Sequence, residues 1–190
     1  MLTRINWSPG IGDPTALGWF TVAFYFLTSM LAFATAYKYR HLKNDFRFWG
    51  ILAVFLLLLG INKQLDLQSL LTAIGRLVAK EQGWYKERRP VQLAFIVILF
   101  TLALTSIVLL WWMLGQELRK FMFPITGFLL LVTFIIIRAA SFHHVDRLLR
   151  SGPSGVGLKW IIELSGIGCL FLSSLFQVLH RTNDRKIRQR

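Results

Sequence analysis

The chain has 190 residues, 55% of them hydrophobic, with a mean hydropathy of +0.54. A soluble domain carries about 45–50% apolar residues, and here they fall into runs of about 20, the length that crosses a hydrocarbon core. The net charge of +13 would suggest nucleic acid if the chain were soluble, but the basic residues flank apolar runs, so anionic lipid and membrane topology account for them and nucleic acid is not expected.

Cys169 is the single cysteine and lies within an apolar run. An intrachain disulfide is excluded, and no zinc-type spacing exists. The opening MLTRINWSPGIGDPT is polar and turn-rich. It lacks the basic, apolar and small-residue regions of a cleaved signal, so the first span is expected to serve as an uncleaved anchor. One membrane domain, residues 1–190, is the simplest organisation.

The first predicted span runs over residues 16–37, with Trp7 and Trp19 bracketing the membrane entry. A basic, aromatic exit, Tyr37 to Lys43, leads to a second span over 46–62. The uninterrupted apolar part of that span, Phe48 to Ile61, covers about 21 Å of a core roughly 30 Å thick. The helix must therefore carry Asn62, Lys63, Gln64 and Asp66 into the far leaflet. Residues 67–83 follow with Leu67, Leu70, Leu71, Ile74, Leu77 and Val78 on one face and polar residues on the other, which predicts an interfacial amphipathic helix. Gly83, Trp84 and Tyr85 make the following turn, and Pro90 suits the first turn of a third span, 91–114. Gly115 to Lys120 reads as a tight turn. The fourth span, 121–141, ends its apolar core at Ile137, immediately before Arg138. The segment SFHHVDRLLRSGPSG leads to the fifth span, 157–179, in which Gly166 and Gly168 would allow close helix contact.

The fold class is therefore an all-α membrane protein with five transmembrane helices and one interfacial amphipathic helix between spans two and three. Five spans place the termini on opposite sides. The regions 38–47, 115–120 and 180–190 hold eleven of the 22 Lys and Arg in few residues, so that face is expected to be cytoplasmic and the N-terminus outside.

Parity then gathers the polar groups. The end of span two, the start of span three, the end of span four and the start of span five share one side. That side receives Asn62, Lys63, Gln64, Asp66, Arg88, Arg89, Gln92, Arg138, His143, His144, Asp146 and Glu163. Glu163 lies about six residues into its span, and a charge at that depth is costly unless paired. Arg138 is the partner the sequence suggests. Asp66, His143, His144 and Glu163 are the candidate acid–base groups. Asn62, Lys63, Arg88, Arg89, Gln92, Arg138 and Asp146 are the candidate ligand-binding groups. His143 with Asp146, joined by Asp66 and Glu163, has donors that suit zinc or iron, but the sequence identifies neither metal nor cofactor. His41 and His180 lie at the opposite face, which argues against bis-histidine haem. Each group also has a plain structural reading: helix termination for Asn62 and Asp66, a packing ion pair for Arg138 and Glu163, and an interfacial histidine pair for His143 and His144.

No HExxH, GxSxG, P-loop or GxGxxG signature is present. The stretches IGDPTALGW, NKQLDLQ, QGWY and RAASFHHVD resemble a family of small uncharacterised bacterial multi-span inner-membrane proteins. The resemblance implies an inner-membrane location and transfers no activity. The functional expectation is an outward-facing polar pocket in the outer leaflet that binds or processes an anionic lipid or polyprenyl-phosphate-like amphiphile. Two alternatives stand beside it: a non-enzymatic accessory or scaffold subunit among the proteins of a larger membrane complex, and a metal-dependent membrane hydrolase.

Overall fold

The computed structural model describes residues 14–65, 74, 78, 88–140 and 158–179, and these are helical apart from short connections. The helices are α1 (Ala16–Lys38), α2 (Lys43–Leu65), α3 (Arg88–Leu114), a 3-10 helix (Gly115–Phe121), α4 (Met122–Ala140) and α5 (Leu158–Leu179). Four stretches are long and apolar enough to cross a membrane: Ala16–Lys38, Lys43–Leu65, Glu117–Arg138 and Trp160–Leu179. The expected interfacial helix 67–83 lies outside the described residues, except that Ile74 and Val78 are helical.

The helix ends follow local chemistry. Thr15 caps α1, its hydroxyl accepting from the Gly18 N–H at 3.0 Å. Gly115 has φ +48° and ends α3 in the left-handed conformation that a β-carbon would strain. The residues after it form a 3-10 helix rather than the tight turn the sequence suggested. This lets Phe121 tuck into the core, where it is fully buried.

The core combines large apolar side chains, among them Trp49, Leu56, Leu131 and Leu170, with small and hydroxylated residues, while many large apolar residues face outward. On α1, Thr21, Tyr25, Thr28, Ser29, Ala32, Thr35 and Ala36 are buried at helical spacing, while Phe20, Leu27, Met30 and Phe33 are exposed. Water supplies the hydrophobic drive in soluble proteins; between helices in lipid, close backbone approach and hydrogen bonds supply the cohesion. The hydroxyls of Thr21, Thr28 and Thr35 donate to carbonyls four residues back at 2.7–2.8 Å, so they are satisfied without water. Ser29 donates across to the Ala53 carbonyl at 2.7 Å, and Thr35 also reaches the Ser174 carbonyl at 3.3 Å.

These cross-contacts fix the directions. Ser29 with Ala53 and Tyr25 with Gly60 make α1 and α2 antiparallel. Tyr25 with Glu163, Thr35 with Ser174 and Lys38 with Gln177 make α1 and α5 parallel. The ring pairs Phe48–Phe121 (4.5 Å) and Phe55–Phe128 (5.1 Å) make α2 and α4 parallel. Helices α2, α1, α5 and α4 thus close a bundle, and α3 lies outside it, held chiefly by α4 and the 3-10 helix with slight contact to α2.

The tightest crossing is between α4 and α5. A β-carbon on Gly127 would sit 2.9 Å from the Gly166 carbonyl oxygen, and one on Gly166 would sit 2.9 Å from Leu131. Gly166 therefore serves the close contact that its sequence suggested. Gly168 has open space beside it. Gly127→Ala should destabilise the fold by about 1–3 kcal/mol through overpacking, whereas Gly168→Ala should be neutral or slightly stabilising. Thermal unfolding of the two variants in the same detergent checks this.

Candidate functional site

The buried carboxylate of Glu163 is the centre of the site. It lies five residues into α5 from Leu158, about 7.5 Å along the helix axis, and is 1% exposed. Lys63, two residues before the end of α2, reaches inward and donates to both oxygens, at 3.0 Å to Oε1 and 2.7 Å to Oε2. The Tyr25 hydroxyl of α1 donates to Oε1 at 3.2 Å. Three helices are therefore joined through one side chain.

The lysine is enclosed as well. Its Nζ lies 4.1 Å from the Trp160 ring and 6.0 Å from the Phe134 ring, within the range at which an aromatic face attracts a cation. Trp160 on α5 and Phe134 on α4 thus complete a box around Lys63. Burial without these partners would be prohibitive, because an unpaired charge at membrane depth costs several kcal/mol.

The sequence suggested Arg138 as the partner of Glu163. The structure gives that place to Lys63. The reason is reach and direction: α2 continues four residues past Ile61, where its uninterrupted apolar run ends, and points Lys63 into the bundle, where it is 8% exposed. Arg138 is half-buried near the end of α4, close enough for its charge to act on Tyr25. Asn62 is half-buried beside Lys63 on α2. Arg88, Arg89 and Gln92 lie in the first turns of α3. Asp66, His143, His144 and Asp146 lie outside the described residues. Among the described residues, no three His, Cys, Asp or Glu gather into a metal-binding group.

Tyr25 was not singled out from the sequence. Its signal is present, since Thr21 and Thr28 flank it on one helical face within an apolar run, and a polar stripe in a membrane helix faces protein. The cluster at the opposite end was also missed. There the buried Asp45, in the first turn of α2, pairs with Lys120 of the 3-10 helix. Lys120 also lies over the rings of Phe121 (5.1 Å) and Tyr39 (5.7 Å). Lys38 donates to the carbonyls of Gln177 and Val178 at 2.9 and 3.0 Å, satisfying the last turn of α5.

Beside the bundle, α2, α3 and α4 enclose an apolar groove of about 360 Å³. Its one hydroxyl, Ser106, donates to the Leu102 carbonyl of its own helix at 2.8 Å.

Chemically, Glu163 is an anion engaged by three hydrogen bonds and closed to solvent. It positions its neighbours, and would have to release Lys63 before exchanging a proton with a ligand. No family model, curated protein or solved structure matches the chain.

Removal of the Tyr25 hydroxyl deletes one donor to a charged acceptor and leaves the lysine pair intact. Tyr25→Phe should therefore cost about 1.5–3 kcal/mol. Glu163→Gln, which strands the Lys63 charge, should cost about 3–5 kcal/mol. Denaturation of both variants in mixed micelles gives the order.

Proposed function

We propose that this protein is a five-span bacterial inner-membrane protein, N-terminus outside and C-terminus cytoplasmic, that binds an anionic amphiphile such as a lipid or polyprenyl phosphate. The binding region is the outward end of the bundle, where α2 and α4 finish and α3 and α5 begin. The resemblance of IGDPTALGW, NKQLDLQ, QGWY and RAASFHHVD to small bacterial inner-membrane proteins supports the location.

The fifth crossing rests on direction. Because α2 and α4 run parallel, the chain must return across the membrane between them. Helix α3, at 27 residues and about 40 Å, is the element that does so. The density of Lys and Arg in 38–47, 115–120 and 180–190 sets that end inside.

The observation that carries the binding reading is the convergence of cations on one end of the bundle. Lys63 and Arg138 lie near the ends of α2 and α4, and Arg88 and Arg89 open α3. Guanidinium groups match phosphate oxygens in a planar fork. On this reading the arginines would meet the ligand, at the end of the bundle that holds the Lys63–Glu163–Tyr25 cluster. If the amphiphile is also processed, Asp66, His143 and His144, in the segments adjoining the ends of α2 and α4, are the acid–base groups to use.

The closed state of Glu163 favours one other reading, a non-catalytic accessory subunit. On that reading the exposed apolar residues of α3, among them Val97, Phe100, Leu104 and Trp111, would meet a partner helix.

Native mass spectrometry of gently purified protein separates the two. The binding reading predicts a retained anionic lipid and its loss, by about tenfold, in Arg138→Gln. Undiminished retention in that variant, or a stable partner subunit with no lipid, would favour the accessory reading.

A further inference from the structure

A cleft of about 640 Å³ opens at the end of the bundle opposite Glu163, between the start of α4 and the last two turns of α5. Its place follows from the glycine crossing. Gly127 and Gly166 bring α4 and α5 into backbone contact. Nearer the Lys120 end the facing walls carry full side chains, Phe123 and Pro124 on α4 and Leu172 and Phe176 on α5, and the cleft lies between them.

Three features bear on what enters it. The rim is apolar and faces outward: Phe123, Leu172, Phe176 and Leu179 are each more than half exposed. An occupant therefore arrives from the membrane rather than from water. Lys120 lies on the wall with its side chain 39% exposed, whereas its partner Asp45 is 3% exposed and does not line the cleft. An ammonium has three donors, and Asp45 engages it through one oxygen, so the pairing steadies Lys120 without exhausting it. The third feature is Trp49, which forms part of the same wall. It is 1% exposed, and its indole N–H has no acceptor among the described residues. A buried tryptophan donor ordinarily has one.

The two donors stand at successive depths. Trp49 follows Asp45 by four residues, so it lies one turn, about 6 Å, further along the same face of α2 than the Asp45–Lys120 pair. A cation near the helix ends, a neutral N–H one turn deeper and hydrocarbon walls beside both match an anionic headgroup, an ester carbonyl and an acyl chain. The surrounding charge sets the sign. Lys38, Arg40, Lys43, Arg47, Arg119 and Lys120 outnumber Asp45 and Glu117 at this end. A basic peptide such as the chain's own continuation, HRTNDRKIRQR, has the wrong charge for it, and an anionic lipid has the right one.

We propose that this cleft binds one anionic glycerophospholipid from the leaflet at that end. Its phosphate lies beside Lys120, an ester carbonyl accepts from the Trp49 indole, and an acyl chain runs along Leu172 and Phe176. The seat is separate from the arginine-lined region proposed above and stands or falls without it.

The test places the full chain in phosphatidylcholine nanodiscs with a rising fraction of phosphatidylglycerol and follows the indole N–H resonances by NMR. The Trp49 resonance is the one missing from Trp49→Phe. It should shift saturably with phosphatidylglycerol and not with the uncharged diacylglycerol. Lys120→Gln should require about tenfold more phosphatidylglycerol for the same shift, and Lys120→Arg, which keeps the charge and the tie to Asp45, should restore the response. Leu172→Phe narrows the cleft from its exposed wall and should also weaken the response. It carries the test if Lys120→Gln, by leaving Asp45 unpaired, does not fold by circular dichroism. Arg138→Gln should leave the Trp49 response unchanged. A Trp49 resonance that ignores phosphatidylglycerol, that moves equally with diacylglycerol, or that responds undiminished in the folded Lys120→Gln and Leu172→Phe variants would overturn the assignment.

Discussion

One constraint shapes this molecule: a carboxylate inside a membrane-embedded bundle must find its hydrogen-bond donors within the protein. Glu163 finds them on two other helices, as Lys63 from α2 and Tyr25 from α1. The lysine in turn requires aromatic faces, which Trp160 and Phe134 provide. Such a pair adds little net stability compared with a well-packed apolar substitute. What it supplies is uniqueness, because only one register of α1, α2 and α5 brings the donors to both carboxylate oxygens. The same logic governs the other end, where Asp45 is buried against Lys120 and Lys38 closes the last turn of α5. Two ionic ties, one at each end, hold helices that meet in between through glycines, alanines, hydroxyls and buried leucines.

The two ends differ in what they leave available. At the end built on Asp45 and Lys120, Phe48, Leu114 and Phe121 are buried, and a cleft lined by Trp49, Lys120 and Phe123 opens toward α5. At the end built on Glu163, the helix termini carry Arg138 and, on α3, Arg88 and Arg89. The proposed function rests on the cations of the second end.

Much of this was legible in the sequence because apolar run length and flanking charge report directly on membrane helices. The described helices begin and end within about three residues of the boundaries read from the runs. The short apolar stretch of span two implied only that Asn62, Lys63, Gln64 and Asp66 are carried into the far leaflet; the burial of Lys63 against Glu163 came from the structure. The gathering of Lys63, Arg138 and Glu163 at one end followed from counting crossings. The pairing itself was not legible. Arg138 and Lys63 are both cations at the right level, and only side-chain direction and helix neighbours decide between them. Tyr25 is legible only in company: alone it looks like any other aromatic of an apolar run, and Thr21 and Thr28 on the same helical face mark it. Gly127 was hidden because its partner, Gly166, is 39 positions away in the sequence. Asp45 was hidden because a single acid among basic residues reads as a solvated flank until Lys120 is brought beside it.

The central claim is that the Lys63–Glu163 pair organises the end of the bundle at which α2 finishes and α5 begins. A double-mutant cycle in bilayers or bicelles tests it most directly, using Lys63→Met, Glu163→Leu and the double variant. The two single changes should each be strongly destabilising, and the double should recover most of the loss, with a coupling of about 2 kcal/mol or more. If the single effects instead add to within about 0.5 kcal/mol, the two charges are not partners in the membrane, and the account of this end of the protein is wrong.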